Sequence, residues 1–204
     1  MADSSLSLAD SHPLETSWTL WFDGGAKKDQ KSKISQSNWD QLLNQILTFD
    51  TVPLFWGLFN NIAEPSLLVL GSNYHLFKTG IQPKWEDPAN NEGGKWQITI
   101  PKAKRANLDV MWLHSVMMLV GEVLDPDAAK DVAGIVVSVR KVNDRIAIWT
   151  KTAANQALQE SLCKKWLEVI AAANIGDKWK VEYTVHKEAM AMTSHAMKPR
   201  YTVN

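Results

Sequence analysis

Residues 133–150, "AGIVVSVRKVNDRIAIWT", constrain the fold more than any other segment of this chain. Two runs rich in Val, Ile and Ala are separated by only a few polar residues. A connection this short can join neighbouring strands only as an antiparallel hairpin. We place its turn at Asn143 and Asp144, which predicts that the sheet contains an antiparallel pair.

The order of the other elements predicts the class of fold. Strand-like patterns occur at "SWTLWF", "SLLVLGSNYHLFKTG", "KWQITI" and "KWKVEYTVHKE", with a last short strand near the C-terminus. We expect "KWQITI" to form a hairpin with the strand before it. Helical patterns occur at "LFWGLFNNI", where Asp50 or Thr51 can cap, at "NLDVMWLHSVMMLVGEVL" and at residues 152–173. Because hairpins replace β-α-β crossovers, the sequence predicts an α+β domain with helices on one face of an antiparallel sheet.

Length and composition indicate one globular domain without a broad electrostatic field. The chain has 204 residues, 45% of them hydrophobic, and its formal net charge is zero, so any polyanion must be recognised locally. We interpret residues 1–16, rich in Ser, Asp and Ala, as a disordered tail and residues 17–204 as the domain. A single cysteine, no apparent leader and no long apolar run favour a cytoplasmic protein.

Strand alternation around the predicted turn sorts the hairpin into two faces. If Asn143 and Asp144 form the turn, Val142 pairs with Arg145 and Arg140 with Ala147. One face then carries Arg140, Val142, Arg145, Ala147 and Trp149, and the other carries Val137, Val139, Ile146 and Ile148. The apolar face suits the helices. The opposite face could be a solvated sheet surface, but a tryptophan beside two arginines favours a flat, phosphate-bearing ligand.

Tryptophan is several times more frequent than in average proteins, with ten residues. We expect six or seven of them in the core. Trp39 and Trp85 lie instead in polar loops, and Glu86 follows Trp85 directly. Two indoles can enclose a planar ligand, most strongly a cationic ring, and a carboxylate can accept hydrogen bonds from adjacent donors on a base edge. The combination points to a methylated guanine nucleotide.

Several motifs resemble the mRNA cap-binding translation initiation factor 4E family. They are "HPL" with "W..WF", "FDTV..FW", "LFK.GI.P.WEDP.N..GG.W", "W...V...GE" and "V.VR...D.IAIW", in the family's order and spacing along nearly the whole chain. The resemblance implies a strongly curved antiparallel sheet of about eight strands. It also implies three long helices on the convex face and a 7-methylguanosine cap on the concave face.

The resemblance implies a role for each candidate site residue. Trp39 and Trp85 would stack on the base, Glu86 and the Trp85 amide would bind its edge, and Trp149 would meet the methyl group. Arg140 would contact phosphate, and Arg145 stands where the family usually has Lys. Lys95 is a weaker phosphate candidate.

The family's helical back face binds partners that carry a short helix with tyrosine and leucine. The matching positions here are His12, Pro13, Val52, Trp56 and Leu113. Pro53 and Leu54 stand where the family is typically acidic, and His114 replaces a glutamate. Trp56 could alternatively be a core residue. The sequence therefore predicts an altered scaffold-binding surface and a divergent partner.

The resulting hypothesis is a monomeric, cytoplasmic cap-binding protein, with some nuclear presence, that recruits capped mRNA for translation initiation. Its partner would be an initiation scaffold or a repressor, and we expect no membrane, cofactor, metal or catalytic residue. A cap-binding repressor or divergent paralogue is an alternative. A cap-processing hydrolase is another, but it would need a carboxylate cluster that holds a divalent metal. The histidines lack ligand spacing, and Cys163 is expected to be a buried helix thiol.

Overall fold

The computed structural model describes residues 12–24, 42–176, 178–191 and 198–203. Eight strands form one curved sheet in the order β2-β1-β3-β5-β6-β4-β7-β8, and every neighbouring pair is antiparallel. The strands are β1 (Pro13–Asp23), β2 (Leu43–Thr51), β3 (Asn73–Lys78), β4 (Gly94–Pro101), β5 (Val132–Ser138), β6 (Asn143–Thr150), β7 (Val181–Val185) and β8 (Tyr201–Val203). The predicted α+β class and the short last strand are confirmed.

Helices flank this sheet, mainly on its convex face; the last of them begins at His186, which contacts Trp149 of the concave face. They are α1 (Val52–Phe59), α2 (Leu108–Val120), α3 (Pro126–Asp131), α4 (Gln156–Ala172) and α5 (His186–Ala191). The three predicted helices are α1, α2 and α4; α2 and α4 have 13 and 17 residues, but α1 has only eight. Thr51 caps α1 through a bond from the Leu54 amide, and Pro53 lies in its first turn, as the sequence predicts.

The hydrophobic core fills the space between the sheet and the helices. Trp166 of α4, Trp112 of α2 and Trp96 of β4 all belong to this core, and all three are almost fully buried. The Trp166 indole donates a 2.7 Å hydrogen bond to Ser115 Oγ, which joins the two longest helices. Six of the nine described tryptophans are buried, in line with the sequence prediction.

The predicted tail extends too far into the chain, because β1 begins at Pro13. Pro13 pairs with Thr51 of β2, and the Val52 amide donates to the His12 carbonyl oxygen. The Thr16 hydroxyl donates a 2.7 Å bond to Glu122. Residues 12–16 therefore belong to the domain, whereas residues 1–11 lie outside the described part of the chain.

The sequence analysis does not predict strand β2. The predicted hairpin of β3 with β4 is wrong. Most of β2 is exposed because it forms an edge of the sheet, so its sequence lacks a clean alternation of apolar residues. β3 begins only at Asn73 and lies between β1 and β5. β4 instead lies between β6 and β7.

The turn between β5 and β6 also differs from its prediction. Ser138 rather than Val142 pairs with Arg145, and residues 139–142 form the connection. The physical reason is Asp144, which is fully buried and accepts bonds from Lys102, Arg105 and the Arg140 amide. The shift is four residues, an even number, so the predicted faces keep their composition except for exposed Val142.

Candidate ligand-binding site

Cross-strand pairing arranges the concave face into three rows of side chains. Residues directly opposite one another on neighbouring strands point to the same side of a sheet. The first row is Phe77, Gly134, Trp149 and Lys95; the second is His75, Val136, Ala147 and Gln97; the third is Asp23, Asn73, Ser138 and Arg145. The concave face thus changes from aromatic to polar along the strands.

A cavity of about 410 Å³ lies over these rows. Besides row residues it is lined by Arg140 from the β5–β6 connection and by the loop after β3, which contributes Pro83, Lys84, Trp85 and Glu86. A cavity of this size can hold a nucleotide-sized ligand.

Two rings of an aromatic cluster, Trp85 and Trp149, line the cavity near the loop after β3. The Phe77 and Trp149 rings meet edge to face with centroids 5.5 Å apart, and His186 contacts Trp149 at 4.3 Å. Trp85 lies 6.4 Å from His186, at an interplanar angle of 26°. Phe77 and His186 are buried and support an aromatic wall, in which Trp85 and Trp149 are the rings along which a planar group can stack.

His186 is an uncharged member of this wall. Its side chain is almost fully buried at the start of α5. Burial, and secondarily the charge of Lys95, lowers the pKa of His186 to about 3. The ring is therefore neutral at physiological pH and adds no repulsion toward a cationic base. Its position after β7 gave no sequence signal for this role.

The loop that carries Trp85 is fixed by two side chains of "WEDPAN". Asn90 is fully buried, and its amide donates to the carbonyl oxygens of Gln82 and Lys84 at 2.9 and 2.8 Å. Asp87 accepts from the Gln82 and Ala89 amides at 2.8 and 2.9 Å. These bonds close the loop on both sides of Trp85.

Gly93 allows the loop to return to the sheet at β4. A Cβ atom there would lie 1.8 Å from the Thr150 carbonyl oxygen, far inside van der Waals contact. Only glycine permits this approach of two backbones. The "GG" of the loop motif is therefore a packing requirement that brings Trp85 over the cavity.

Three cations also line the cavity: Arg140 and Arg145 lie at its polar end, and Lys95 lies beside Trp149 in the first row. Their charges repel one another. Desolvation, followed by the charges of Arg145 and Arg140, lowers the pKa of Lys95 to about 8. Such a group of cations favours an anionic ligand, because the ligand offsets both the repulsion and the lost hydration.

The Arg140 guanidinium is fixed by the protein around it. Its Nη1 donates to the carbonyl oxygens of Ser72 and Val139 at 3.2 and 2.9 Å, and its Nη2 donates to Asn73 Oδ1 at 2.8 Å. Burial lowers the pKa of Arg140, and the carboxylate of Asp23 opposes this shift. Arg140 is thus a restrained cation at the edge of the cavity.

The structure brings together six of the seven residues predicted for the cap: Trp85, Glu86, Lys95, Arg140, Arg145 and Trp149. The seventh, Trp39, lies outside the described residues. Sequence reasoning missed Asp23, Asn73 and His75. The signal was available in "NYHLFK", where Asn73 and His75 alternate with core residues and must share the concave face.

A second groove, of about 250 Å³, lies on the helical side. Trp56 and Leu113 line it together with Asp109. Trp56 is 36% exposed, so it is not a core residue. Among the predicted partner residues, His12, Pro13 and Val52 meet where β1 approaches the start of α1, outside the lining of the groove. His114 is half-buried and also lies outside that lining.

Two further findings concern metals and membranes. No three His, Cys, Asp or Glu side chains of the described residues are grouped closely enough to hold a metal ion. The hydrolase alternative therefore gains no support from this part of the chain. No helix in the same residues has the length and apolar character needed to cross a bilayer.

An open curved sheet with helices on one face and a lined cavity on the other defines an α+β ligand-binding class. The family model for Eukaryotic initiation factor 4E matches residues 13–201. The chain belongs to this family.

Plant proteins are among the similar relatives. A eukaryotic translation initiation factor isoform 4E from Capsicum annuum is 43% identical over 192 residues, which cover 94% of this chain and 87% of that protein. Eukaryotic translation initiation factor 4E-1 from Zea mays is 44% identical, with 94% and 81% covered. The similarity therefore extends across most of both proteins.

Solved structures of nematode proteins share the fold. C. elegans eIF4E-3, in complex with the 4E-binding protein Mextli and a cap analog, has a TM-score of 0.80 at 33% identity, covering 94% of this chain and 99% of that one. Ascaris suum eIF4E-3 with an m2,2,7G cap also has a TM-score of 0.80, at 35% identity and with 95% and 98% covered. The same protein with an m7G cap has a TM-score of 0.79 at 34% identity, with the same coverage.

Proposed function

We propose that this protein binds the 7-methylguanosine 5′ cap of mRNA in the concave cavity and thereby recruits mRNA for translation initiation. The methylated base stacks on Trp85, and Trp39 encloses it from the other side. Glu86 and the Trp85 amide bind the base edge, and Trp149 meets the methyl group. Arg140, Arg145 and Lys95 bind the phosphate chain.

One observation carries this proposal: the cavity joins an aromatic wall to a group of three cations. A methylated guanine is flat and cationic, and its phosphates are anionic, so one ligand suits both the wall and the cations. Glu86 lies on the cavity lining next to Trp85, where it can accept hydrogen bonds from the base edge. The cap complexes of Ascaris suum eIF4E-3 support the same ligand.

Tryptophan fluorescence tests the proposal directly. Titration with 7-methylguanosine triphosphate should quench the emission, because the ligand stacks on Trp85. Unmethylated guanosine triphosphate is the matched control, since it has the same phosphates but no fixed positive charge on the ring. We expect it to bind at least about tenfold more weakly, because the cationic ring provides roughly 1.5 kcal/mol or more of additional stacking in a desolvated site.

The two ligands also define the result that would contradict the proposal. Equal affinity for both would mean that the cavity recognises phosphate without reading the methyl group. No quenching by either would mean that Trp85 takes no part in binding. Trp85→Ala should remove most of the fluorescence change and the preference together.

The groove lined by Trp56 and Leu113 is the proposed site for a helical segment of an initiation scaffold or repressor. Its apolar character and the exposure of Trp56 support this function. Mextli, which is bound to C. elegans eIF4E-3, is a 4E-binding protein and supports this class of partner. His114 in place of a glutamate favours a partner with a divergent sequence.

The protein acts by binding and not by catalysis, and it acts in the cytoplasm, where translation initiates. Family membership supports a role as a cap-binding initiation factor. The free thiol of Cys163 is buried in α4, and burial raises the pKa of Cys163 to about 12, which leaves it protonated and unreactive. If the protein only binds the cap, incubation of the purified protein with a capped RNA should return the cap intact.

A further inference from the structure

We propose that Asp23, Asn73 and His75 form a buried relay that holds the Arg140 guanidinium in the orientation that meets a phosphate group. They are positioning residues that act through Arg140. The role in phosphate recognition rests on the proposed function of the cavity, whereas the restraint itself is a property of the free protein.

The relay is a continuous series of short hydrogen bonds. Arg140 Nη2 donates to Asn73 Oδ1 at 2.8 Å, and Asn73 Nδ2 donates to Asp23 Oδ1 at 2.6 Å. His75 Nε2 lies 2.7 Å from Asp23 Oδ2. Because a carboxylate only accepts hydrogen bonds, the His75 proton on this bond must be on Nε2. Asp23 is therefore the common acceptor at the end of the series.

The chemistry of its neighbours fixes the orientation of the Asn73 amide. In the opposite orientation the NH₂ group would face the donors of Arg140, and the oxygen would face the carboxylate of Asp23. Both contacts would be repulsive. The negative charge of Asp23 thus determines which atom Asn73 presents to Arg140.

Burial shields most of the relay from water. Asp23, His75 and Asn73 line the cavity but are only 4%, 5% and 8% exposed, so little of each side chain is open to solvent. Asp23 and Asn73 are also directly paired across β1 and β3. The regular strands therefore support a side chain, Arg140, that belongs to an irregular connection.

Arg140 needs such support because its surroundings oppose its charge. Desolvation and the nearby charge of Arg145 both disfavour the guanidinium, and Asp23 is the largest favourable charge that acts on it. Three of its five N–H groups bind Ser72, Val139 and Asn73. No acceptor for the remaining two is found among the residues that the structure describes, so they can serve a ligand at the cavity.

A restrained arginine loses little rotational freedom when it binds phosphate. Without the relay, Nη2 loses its acceptor, and only the Nη1 bonds to Ser72 and Val139 restrain the guanidinium, so part of the phosphate affinity would be lost. Stacking on the base would remain, because the relay includes none of the rings of the aromatic wall. The relay therefore affects the part of the ligand affinity that comes from phosphate and leaves the part that comes from stacking on the base.

Substitution of Asn73 tests this selectivity. Asn73→Leu keeps the approximate size but breaks both bonds, and Asn73→Ser is a smaller polar variant in case the first does not fold. Each should lower the affinity for 7-methylguanosine triphosphate about five- to twentyfold, the usual effect of losing a bond to a charged group, and that for 7-methylguanosine less than about twofold. Asn44→Leu, the same substitution on the exposed edge strand β2, should change neither.

A double-mutant cycle separates positioning from general damage. In an Arg140→Ala background, Asn73→Leu should change the triphosphate affinity by less than about twofold, because the residue through which it acts is gone. An undiminished effect in that background would overturn the relay. Equal losses for nucleoside and triphosphate in the single variants would also overturn it.

A readout without ligand distinguishes failure of the relay from failure of the cap proposal. In ¹⁵N spectra of the free wild-type protein, a restrained Arg140 should give separate Nη1 and Nη2 signals, and these should merge in Asn73→Ser. Merged signals in the wild type would overturn the relay whatever the protein binds. Separate signals together with no cap binding would reject the cap function and leave the restraint established.

Discussion

Individual side chains of the cavity differ in what they can contribute to a ligand. Glu86 is exposed and lines the cavity at the Trp85 loop, whereas Lys95 is less exposed, is paired with Trp149 and lies near both arginines. An exposed carboxylate gains most of its binding strength only when a ligand excludes water. A desolvated amine already carries an energetic penalty that an anion can relieve. The two residues therefore respond to different perturbations.

Glu86→Gln should weaken binding of 7-methylguanosine by about tenfold or more. A carboxylate that accepts hydrogen bonds in a closed site contributes about 1.5 to 3 kcal/mol, and an amide would also place a donor against the donors of guanine. Fluorescence titration of the nucleoside measures the effect. Glu92→Gln, which removes the same charge from the exposed end of the same loop, should stay within about twofold. Similar losses in both variants would contradict a specific role for Glu86.

Phosphate recognition should depend on pH through Lys95. Its pKa of about 8 means that the amine loses its charge as pH rises from 7 to 9.5, unless a phosphate raises that pKa again. The ratio of affinities for 7-methylguanosine triphosphate and 7-methylguanosine should therefore fall over this range. Both ligands contain the same base, so the ratio of their affinities cancels any effect of the base's own titration. Isothermal titration calorimetry of the triphosphate should record uptake of a proton by Lys95 on binding.

Lys95→Arg provides the control for this pH dependence, because a guanidinium stays charged throughout. A ratio that falls equally in wild type and Lys95→Arg would exclude Lys95 as the cause. The free protein offers a second check. The pKa of Lys95 is lowered on folding from 10.5 to about 8, so the unfolded state binds more protons between these values. Lys95 should thus add stability as pH rises from about 8 to 10.5.

The loop after β3 adds a wall to the concave sheet surface and thereby helps to form the cavity. Asp87 and Asn90 satisfy its backbone groups internally, so the loop keeps a defined conformation without help from regular structure. Gly93 then allows the chain to pass close to Thr150 as β4 begins. The position of Trp85 therefore depends on residues that need not contact a ligand.

Asn90→Ala should loosen this loop. Two carbonyl oxygens lose their donor, which should lower the free energy of unfolding by about 1 to 3 kcal/mol. The affinity for the bare methylated nucleoside should fall roughly as much as that for the triphosphate, because Trp85 serves both ligands. Thermal unfolding and fluorescence titration measure the two effects. Asn91→Ala, at the neighbouring half-buried position, is the control and should retain both properties. Loss of triphosphate binding alone would show that the loop does not position the base.

The whole molecule separates its two candidate sites by the sheet and the core. The cavity lies on the concave side, and the groove with Trp56 and Leu113 lies among the helices on the convex side. Among the described residues, none lines both. Substitutions at the two sites should therefore have independent effects, as expected for distant positions without shared contacts.

Trp56→Ala should abolish capture of a helical partner and leave cap affinity within about twofold. A central aromatic anchor often accounts for about 2 kcal/mol or more of an interface, and Trp56 is 36% exposed, so its loss should not unfold the protein. Pull-down of a tyrosine- and leucine-containing peptide, with cap titration in parallel, measures both. Leu67→Ala, at a position 72% exposed and outside the groove, is the control.

His114→Glu should improve binding of the same generic peptide, because a carboxylate accepts hydrogen bonds from peptide amides and a histidine does so less well. A wild-type protein that binds the generic peptide as tightly as His114→Glu does would show that the substitution has no effect on partner choice.

Unfolding of the Trp56→Ala variant, in place of a specific loss of partner binding, would show that Trp56 stabilises the domain.

The amino-acid sequence alone determined which side chains of β6 share the concave face. Strand alternation has a period of two, so Arg145, Ala147 and Trp149 had to point one way and Ile146 and Ile148 the other, whatever the exact turn. The predicted register was displaced by four residues, yet the faces survived because the displacement is even. Local motifs likewise placed Trp85 and Glu86 in a loop, because turn chemistry is short-range.

Tertiary structure decided the order of the strands and the restraint of Arg140. β3 pairs with β1 and β5 instead of with β4, and an exposed edge strand such as β2 carries little periodicity for a sequence to reveal. Asp23 and Asn73 are 50 residues apart, and their hydrogen bond exists only because β1 and β3 pair in one register. Contacts between distant segments depend on the packing of the whole sheet against its helices, which no local pattern encodes.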